Sequence, residues 1–108
     1  MISSDTMRGF NDLLILHLLS LEDSYGYALS KRISELSEGQ YNIKETTLYS
    51  AFNRMERQGW IRGYDGLETH GRMRTYFAIT DLGRHVLADK RVEWTTVQRV
   101  MKNILEAS

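Results

Sequence analysis

Residues 45–60, ETTLYSAFNRMERQGW, decide the fold and pose the question of function. Apolar side chains recur here at i, i+3, i+4 and i+7, the spacing of one helix face: Leu48, Ala51, Phe52 and Met55. The opposite face carries hydroxyls, an amide and a guanidinium: Thr46, Tyr49, Ser50, Asn53 and Arg57. It contains no carboxylate, because Glu56 falls on the flank. Gly59 is the predicted end of the helix.

Two further helices are predicted upstream of this one. Residues 10–21, FNDLLILHLLSL, are apolar nearly all round, which indicates a helix buried on most sides. Residues 27–37, YALSKRISELS, place Leu29, Ile33 and Leu36 at helical spacing. Downstream, WIRGY (60–64) and MRTYFAIT (73–80) are β-rich and are joined by a polar loop, which predicts a hairpin. In its second strand we expect Phe77 and Ile79 to face the core, with Arg74 and Tyr76 on the outer side.

A long helix, from about residue 81 to residue 106, completes the predicted order, with Thr80 as its N-cap. Its apolar positions repeat at spacings of 7, 3, 4 and 3, as in a coiled coil: Leu87, Trp94, Val97, Met101 and Ile104. A terminal helix with such a stripe needs a surface to pack on, which predicts a two-fold homodimer with these five residues in the interface. We therefore divide the chain into residues 1–80 and a dimerisation helix, 81–108, in one compact unit.

Composition excludes several classes of protein. The chain has 108 residues and no cysteine, which rules out a disulfide framework and a thiolate zinc site. No signal-peptide pattern or long apolar run is present, so a cytoplasmic protein without membrane contact is expected. The three histidines, His17, His70 and His85, lack metal-ligand spacing, and we interpret His17 as a core residue bonded to backbone. No phosphate loop, nucleophile motif or carboxylate pair indicates an enzyme or a bound cofactor.

Three helices followed by a hairpin define a winged helix-turn-helix, an α+β class that is mainly α. In a helix-turn-helix the second helix enters the DNA major groove, where amide, guanidinium and hydroxyl groups meet base edges and phosphates. The polar face of residues 46–57 fits that role, and the hairpin tip adds a polar cluster: His70, Arg72, Arg74 and Tyr76. Two alternatives are a merely solvated polar face and a winged helix that binds protein instead of DNA. A net charge of zero favours the second of these.

Trp94 also has two interpretations. A tryptophan in an apolar stripe is commonly a core or dimer residue. Alternatively, two symmetry-related Trp94 rings sandwich a flat aromatic ligand in a cavity that Phe10, Leu13 and Met101 help to line.

Four segments together resemble the PadR family of transcriptional regulators: YGYALSKRI (25–33), TTLYSAFNRMERQGWI (46–61), GRMRTYFAITDLG (71–83) and the terminal helix with Trp94. The short tail is similar to the subfamily with one dimerisation helix, and in particular to its multidrug-responsive members. This resemblance implies a homodimeric repressor that binds a pseudo-palindromic operator and is released by a small aromatic or hydrophobic effector.

The resemblance also implies DNA contacts by Thr47, Tyr49, Asn53 and Arg54 of the recognition helix, and by Arg72, Arg74 and Tyr76 of the wing. Lys44 stands where the family often has a capping Ser or Asn. Together with the polar face, the predicted DNA surface comprises Lys44, Thr46, Thr47, Tyr49, Ser50, Asn53, Arg54, Arg57, Arg72, Arg74 and Tyr76.

Overall fold

A computed structural model of the chain describes residues 1–67, 71 and 73–108. It confirms the predicted order of three helices, a hairpin and a long helix, preceded by one short turn of helix. The elements are α1 (Ser4–Met7), α2 (Asn11–Leu21), α3 (Gly26–Leu36), α4 (Glu45–Arg57), β1 (Ile61–Leu67), β2 (Met73–Ile79) and α5 (Asp81–Leu105). The result is a mainly helical winged helix-turn-helix with a two-stranded antiparallel wing.

The core lies where α2, α3 and α4 meet the base of the wing. Its largest fully buried side chains come from three of these elements: Phe52, Ile15, Leu16, Leu19, Leu48, Met55 and Ile61. The buried face of α4 is the one that its apolar spacing predicted. At the end of α4, Gly59 adopts a φ of +79°, a backbone conformation that would be strained in a residue with a side chain. The N–H groups of Gly59 and Trp60 donate to the Glu56 and Met55 carbonyls, closing the helix in a Schellman motif.

The wing is longer than the sequence predicted. Pairing runs from Ile61 opposite Ile79 to Leu67 opposite Met73, so β1 continues through three residues predicted to lie in the loop. Ser24, between α2 and α3, forms an isolated antiparallel β-bridge with Phe77 through two backbone hydrogen bonds, of 3.2 and 2.7 Å. Phe77 is buried as predicted and stacks on Phe52, with ring centroids 4.2 Å apart. Its neighbour Ala78, which strand alternation places on the other face, is buried as well.

Helix α5 begins at the predicted cap, where the Thr80 hydroxyl accepts from the Gly83 N–H at 3.0 Å. Its 25 residues span about 37 Å, and its first turns pack on α2. The radius of gyration is 15.4 Å and the longest dimension 59 Å, whereas a compact chain of this length would have a radius near 13 Å. The excess reflects the far half of α5, where every residue after Val97 is exposed.

Two predictions about α5 and its neighbourhood need correction. Leu87 is only 3% exposed and belongs to the core of the protomer, so it is not available to a dimer interface. The other four stripe residues retain exposed surface: Trp94, Val97, Met101 and Ile104. His17 is half-buried, and its Nδ1 lies 2.7 Å from an Nη atom of Arg91 on α5. Because a guanidinium can only donate, Nδ1 is the acceptor, and the partner is a side chain instead of the expected backbone group.

Within the part of the chain that the structure describes, no helix is both long and apolar enough to span a membrane. The same residues contain no cluster of three or more His, Asp or Glu side chains arranged to hold a metal ion.

Candidate nucleic-acid interface

A narrow polar stripe runs along the exposed face of α4. Thr46, Ser50, Asn53 and Arg57 follow one another at spacings of four, three and four residues, which keeps them within about 60° of one another around the helix. All four are exposed. The stripe offers two hydroxyls, one amide and one guanidinium, so it can donate to phosphate oxygens and exchange hydrogen bonds with base edges. We refer to these four residues as the α4 stripe.

Tyr49 lies beside the stripe and fixes the position of α4 against α3. Its ring meets Phe52 edge-on, with centroids 6.0 Å apart, while the residue remains 49% exposed. Its hydroxyl lies over Gly26, the first residue of α3, so closely that a Cβ there would come within 2.7 Å of it. The ring therefore belongs to the contact between the two helices of the helix-turn-helix, and one edge of it remains open to solvent.

Arg54 occupies the flank of α4 that faces α2. Its two Nη atoms donate to the two carboxylate oxygens of Asp12, each at 2.7 Å. This hydrogen-bonded pairing raises the pKa of Arg54, an effect that partial burial opposes. The guanidinium, which the family resemblance assigned to DNA, is thus occupied by a carboxylate in the free protein.

Glu56 occupies the opposite flank, which faces the wing. Its Oε2 accepts from the Gly63 backbone N–H at 2.8 Å. Gly63 suits this contact because a Cβ in its place would lie 2.9 Å from the same oxygen. Both charged flanks of α4 are therefore engaged by neighbouring elements, and the stripe between them is left to solvent.

A cleft of about 350 Å³ runs along the Arg54 flank, between α4 and the N-terminal part of α2. Its lining is mostly polar: Arg8, Asn11, Asp12, Thr46, Thr47, Ser50, Ala51 and Arg54. Thr47 is half-buried there. Lys44, at the N-cap of α4, is exposed and makes no side-chain capping hydrogen bond. The start of α4 presents Lys44 and first-turn N–H groups, which suit an anion, together with the Glu45 carboxylate, which opposes one.

The wing side chains do not stand free on the outer side as predicted. The Arg74 guanidinium lies over the Tyr25 ring, 5.4 Å from its centroid, and the residue is half-buried. Tyr76 is also half-buried and sits between Tyr25 and Tyr64, at centroid distances of 5.2 and 5.8 Å. Both side chains lie on the face of β2 opposite Phe77, but they are not free there, because Tyr25 of the α2–α3 loop packs on this part of the wing. Arg72 and His70, also predicted at this surface, lie outside the described residues.

Comparison with known proteins agrees with this architecture. The pattern of the "Transcriptional regulator PadR-like family" matches residues 15–89. The chain belongs to the PadR-like family. It is therefore a DNA-binding transcriptional regulator and not an enzyme.

Two solved structures and one curated protein illustrate the likeness. A transcriptional regulator from Clostridium thermocellum is 45% identical, with a TM-score of 0.89 over 98% of this chain and 100% of that one. A PadR family transcription regulator from Clostridium difficile is 33% identical, with a TM-score of 0.77 over 87% of this chain and 96% of that one. An uncharacterized protein from Lysinibacillus sphaericus is 38% identical over 98% of this chain and 97% of its own length.

The residues predicted to line an effector cavity in this PadR-like protein are partly brought together. Phe10 and Trp94 meet edge-to-face with ring centroids 5.2 Å apart, and Leu13 lines the same small pocket. Met101 is not part of that lining, since it lies two turns farther along α5, about 10 Å from Trp94. The pocket measures only about 20 Å³, which is room for about one water molecule. One protomer alone therefore provides an aromatic wall and not a ligand cavity.

Sequence reasoning missed the residues that hold the PadR-like surface in place. Asp12 looked like an ordinary acidic residue in the first turn of a helix, and its partner lies 42 positions away. Tyr25 looked like one residue of a turn, although it packs against both Arg74 and Tyr76. Neither pairing leaves a periodic signal, so only the tertiary structure reveals it.

Proposed function

We propose that this PadR-like regulator is a cytoplasmic homodimeric repressor. In this proposal each subunit inserts α4 into the major groove of one half of a pseudo-palindromic operator, and a small planar, hydrophobic effector releases the complex. The observation that carries the proposal is the α4 stripe, which is exposed, free of carboxylates and located on the second helix of the helix-turn-helix.

The chemistry of the stripe assigns a role to each of its members. The Asn53 amide can bond adenine in two places, and the Arg57 guanidinium can bond guanine in two places. Hydroxyls serve phosphate oxygens well, which suits Thr46 and Ser50, and Lys44 adds charge at the start of the helix. In the wing, Arg74 and Tyr76 are candidates for contacts with the DNA backbone.

The dimer is supported by the free half of α5. Trp94, Met101 and Ile104 lie on one face of that helix and are 39, 50 and 63% exposed. Burying this exposed apolar face against a partner would stabilise the helix. In a two-fold dimer, the same face of each subunit is buried against its copy. Such a dimer would place the two α4 helices about one DNA turn, or about 34 Å, apart.

The effector is supported by the Phe10 and Trp94 rings. A second protomer would bring a second pair of rings to the dyad, and flat aromatic molecules stack favourably between such rings. An effector that fits one subunit spacing better than another shifts the dimer toward that spacing. A coupling free energy of about 1–3 kcal/mol would make the switch useful.

The main experiment is an unbiased selection of DNA fragments with the purified protein, with and without flat aromatic compounds. We expect enrichment of a two-fold symmetric sequence. Asn53→Ala should change the preferred base at one position in each half-site, because the amide reads a base edge. Asn103→Ala, an exposed amide on the side of α5 opposite Trp94, serves as a matched control and should leave the preference unchanged.

Salt dependence separates this proposal from its rival, a winged helix that binds only protein. Arg74→Ala should weaken binding to every sequence and reduce the slope of log K against log salt by about 0.9 for each lost phosphate contact. If the protein showed no salt-dependent binding to duplex DNA and enriched no sequence, the protein-binding alternative would be favoured.

The effector site has its own test in tryptophan fluorescence. Flat aromatic compounds should quench the emission of the wild-type protein, and Trp94→Ala should abolish that quenching. The remaining tryptophan, Trp60, lies half-buried under Lys90 and is the internal reference. Quenching that persisted in the variant would assign the compounds to another site.

A further inference from the structure

The Asp12–Arg54 ion pair joins α2 to the recognition helix beside the residues proposed to read DNA. Both contacts are 2.7 Å long, and each Nη atom meets its own carboxylate oxygen. A two-pronged contact of this kind fixes both the position and the plane of the guanidinium. Arg54 is therefore directed toward α2 and not toward the space in front of the α4 stripe.

The two partners differ in their access to solvent. The Asp12 side chain is 18% exposed, whereas that of Arg54 is 44% exposed and opens on the cleft. A phosphate that entered the cleft would meet the carboxylate together with the guanidinium. Because the two charges cancel, the pair offers little net attraction to an anion, although the cleft contains an arginine.

The other charged groups near this flank follow the same pattern. Arg8 also lines the cleft, and its Nη2 is paired with Asp5 at 2.6 Å. Glu45 occupies the first turn of α4, next to Lys44. Arg57 is the cation of the stripe itself, and it has no carboxylate partner among the ion pairs of the described residues. The flank is thus electrically balanced, while the stripe carries a positive charge.

We propose that Asp12 limits the affinity for DNA of any sequence by keeping Arg54 away from phosphates. The inference rests on the proposed function and deepens it. Phosphates are the same in every sequence, so an additional free cation strengthens binding to all DNA. Occupying Arg54 within the protein withholds that uniform contribution, so it lowers the affinity for operator and for other DNA by a similar factor and leaves their ratio to be set by the α4 stripe.

The test compares an operator recovered by selection with a scrambled duplex of equal length, at three salt concentrations. Asp12→Asn frees Arg54, so it should strengthen binding to the operator and to the scrambled duplex by a similar factor. The slope of log K against log salt should steepen by about 0.9 per subunit. Adding Arg54→Gln to this variant should restore the original slope. Arg54→Gln alone should leave the slope at the wild-type value, because Arg54 neutralises no phosphate in the wild-type complex.

Two further variants distinguish this role of Asp12 from a change in overall charge or in folding. Asp89→Asn removes the same charge from an exposed position on α5, and it should leave both affinities and the slope near the wild-type values. Asp12→Ala removes the carboxylate without placing an amide against Arg54, so it should also steepen the slope. This variant keeps the inference testable if Asp12→Asn folds poorly, which circular dichroism and thermal melting will show.

Three results would overturn the inference. A loss of about one unit of slope per subunit in Arg54→Gln would show that Arg54 already contacts a phosphate. Equal effects of Asp12→Asn and Asp89→Asn would reduce the result to overall charge. An unchanged affinity and an unchanged slope in Asp12→Asn, with a wild-type protein that selects an operator, would refute the role of Asp12 alone. A wild-type protein that prefers no sequence would refute the proposed function as well.

Discussion

The first half of α5 packs in the core of the protomer and the second half is exposed, so substitutions in the two halves should have different effects. Leu87 and Ile104 belong to the same apolar stripe, yet Leu87 is 3% exposed and Ile104 is 63% exposed. Truncating each to alanine should therefore have different consequences. Leu87→Ala should destabilise the fold of each subunit, whereas Ile104→Ala should weaken the association of two subunits.

The expected magnitudes follow from burial. Removing a buried leucine side chain costs about 2–5 kcal/mol of unfolding free energy, so Leu87→Ala should lower the melting temperature by on the order of 10 °C or more. Full burial of an isoleucine contributes about 1.5–3 kcal/mol. With 63% of Ile104 still exposed in the protomer, dimer burial is worth about 1–2 kcal/mol per side chain. Two copies in a symmetric dimer give at most about 2–4 kcal/mol, or roughly a 30- to 700-fold increase in dimer Kd.

The assay combines sedimentation over a range of dilutions with thermal unfolding at two protein concentrations. Ile104→Ala should shift the monomer–dimer transition to higher concentration and strengthen the concentration dependence of Tm in the working range. Val92→Ala is the matched control, since Val92 is 67% exposed on the opposite face of α5, about 160° from Trp94. An unchanged Kd for Ile104→Ala, or an equal loss for Val92→Ala, would refute dimerisation through this stripe.

Two further predictions concern the stability of the protomer. The Thr80 hydroxyl both caps α5 and donates to the Gly59 carbonyl at 2.6 Å. Thr80→Ala should therefore lower the free energy of unfolding, measured by chemical denaturation, by about 2 kcal/mol. Thr96→Ala, at an exposed position of the same helix, should lower it much less. Burial raises the pKa of Tyr41, whose hydroxyl donates to Asn11, so the folded protein holds a proton that the unfolded chain releases near pH 10. Stability should consequently fall as pH rises above about 10, and Tyr41→Phe should flatten that fall. A denaturation series that showed the same alkaline loss in wild type and variant would contradict this assignment.

Local sequence patterns predicted the elements that depend on neighbouring residues. The helical spacing of residues 45–57 placed Phe52 in the core and Asn53 on the surface, and Gly59 ended the helix as expected. Thr80 was found as the cap of α5 for the same reason. These features need only periodicity and the backbone preferences of single residues, which a sequence displays directly.

Features that depend on distant contacts were mistaken or missed. The stripe on α5 is continuous in sequence, so nothing in it shows that α2 covers Leu87 and leaves Ile104 in solvent. Asp65 and Gly66 have poor strand propensity, but pairing with β2 extends β1 through them. Arg74 alternates correctly with Phe77, yet a loop from another part of the chain covers its side of the sheet.

The anchoring of α4 bears on whether its stripe is a recognition surface or only a solvated one. Phe52 and its buried neighbours hold the inner face of α4 in the core. The two-pronged contact of Arg54 with Asp12 fixes one flank to α2, and the hydrogen bond from the Gly63 N–H to Glu56 fixes the other flank to the wing. A face that only meets water gains nothing from such a defined orientation. Base readout does gain from it, because hydrogen bonds to base edges require side chains to start from defined positions, and each side chain ordered in advance reduces the entropy lost on binding. The anchoring therefore argues that the α4 stripe is built to bind DNA.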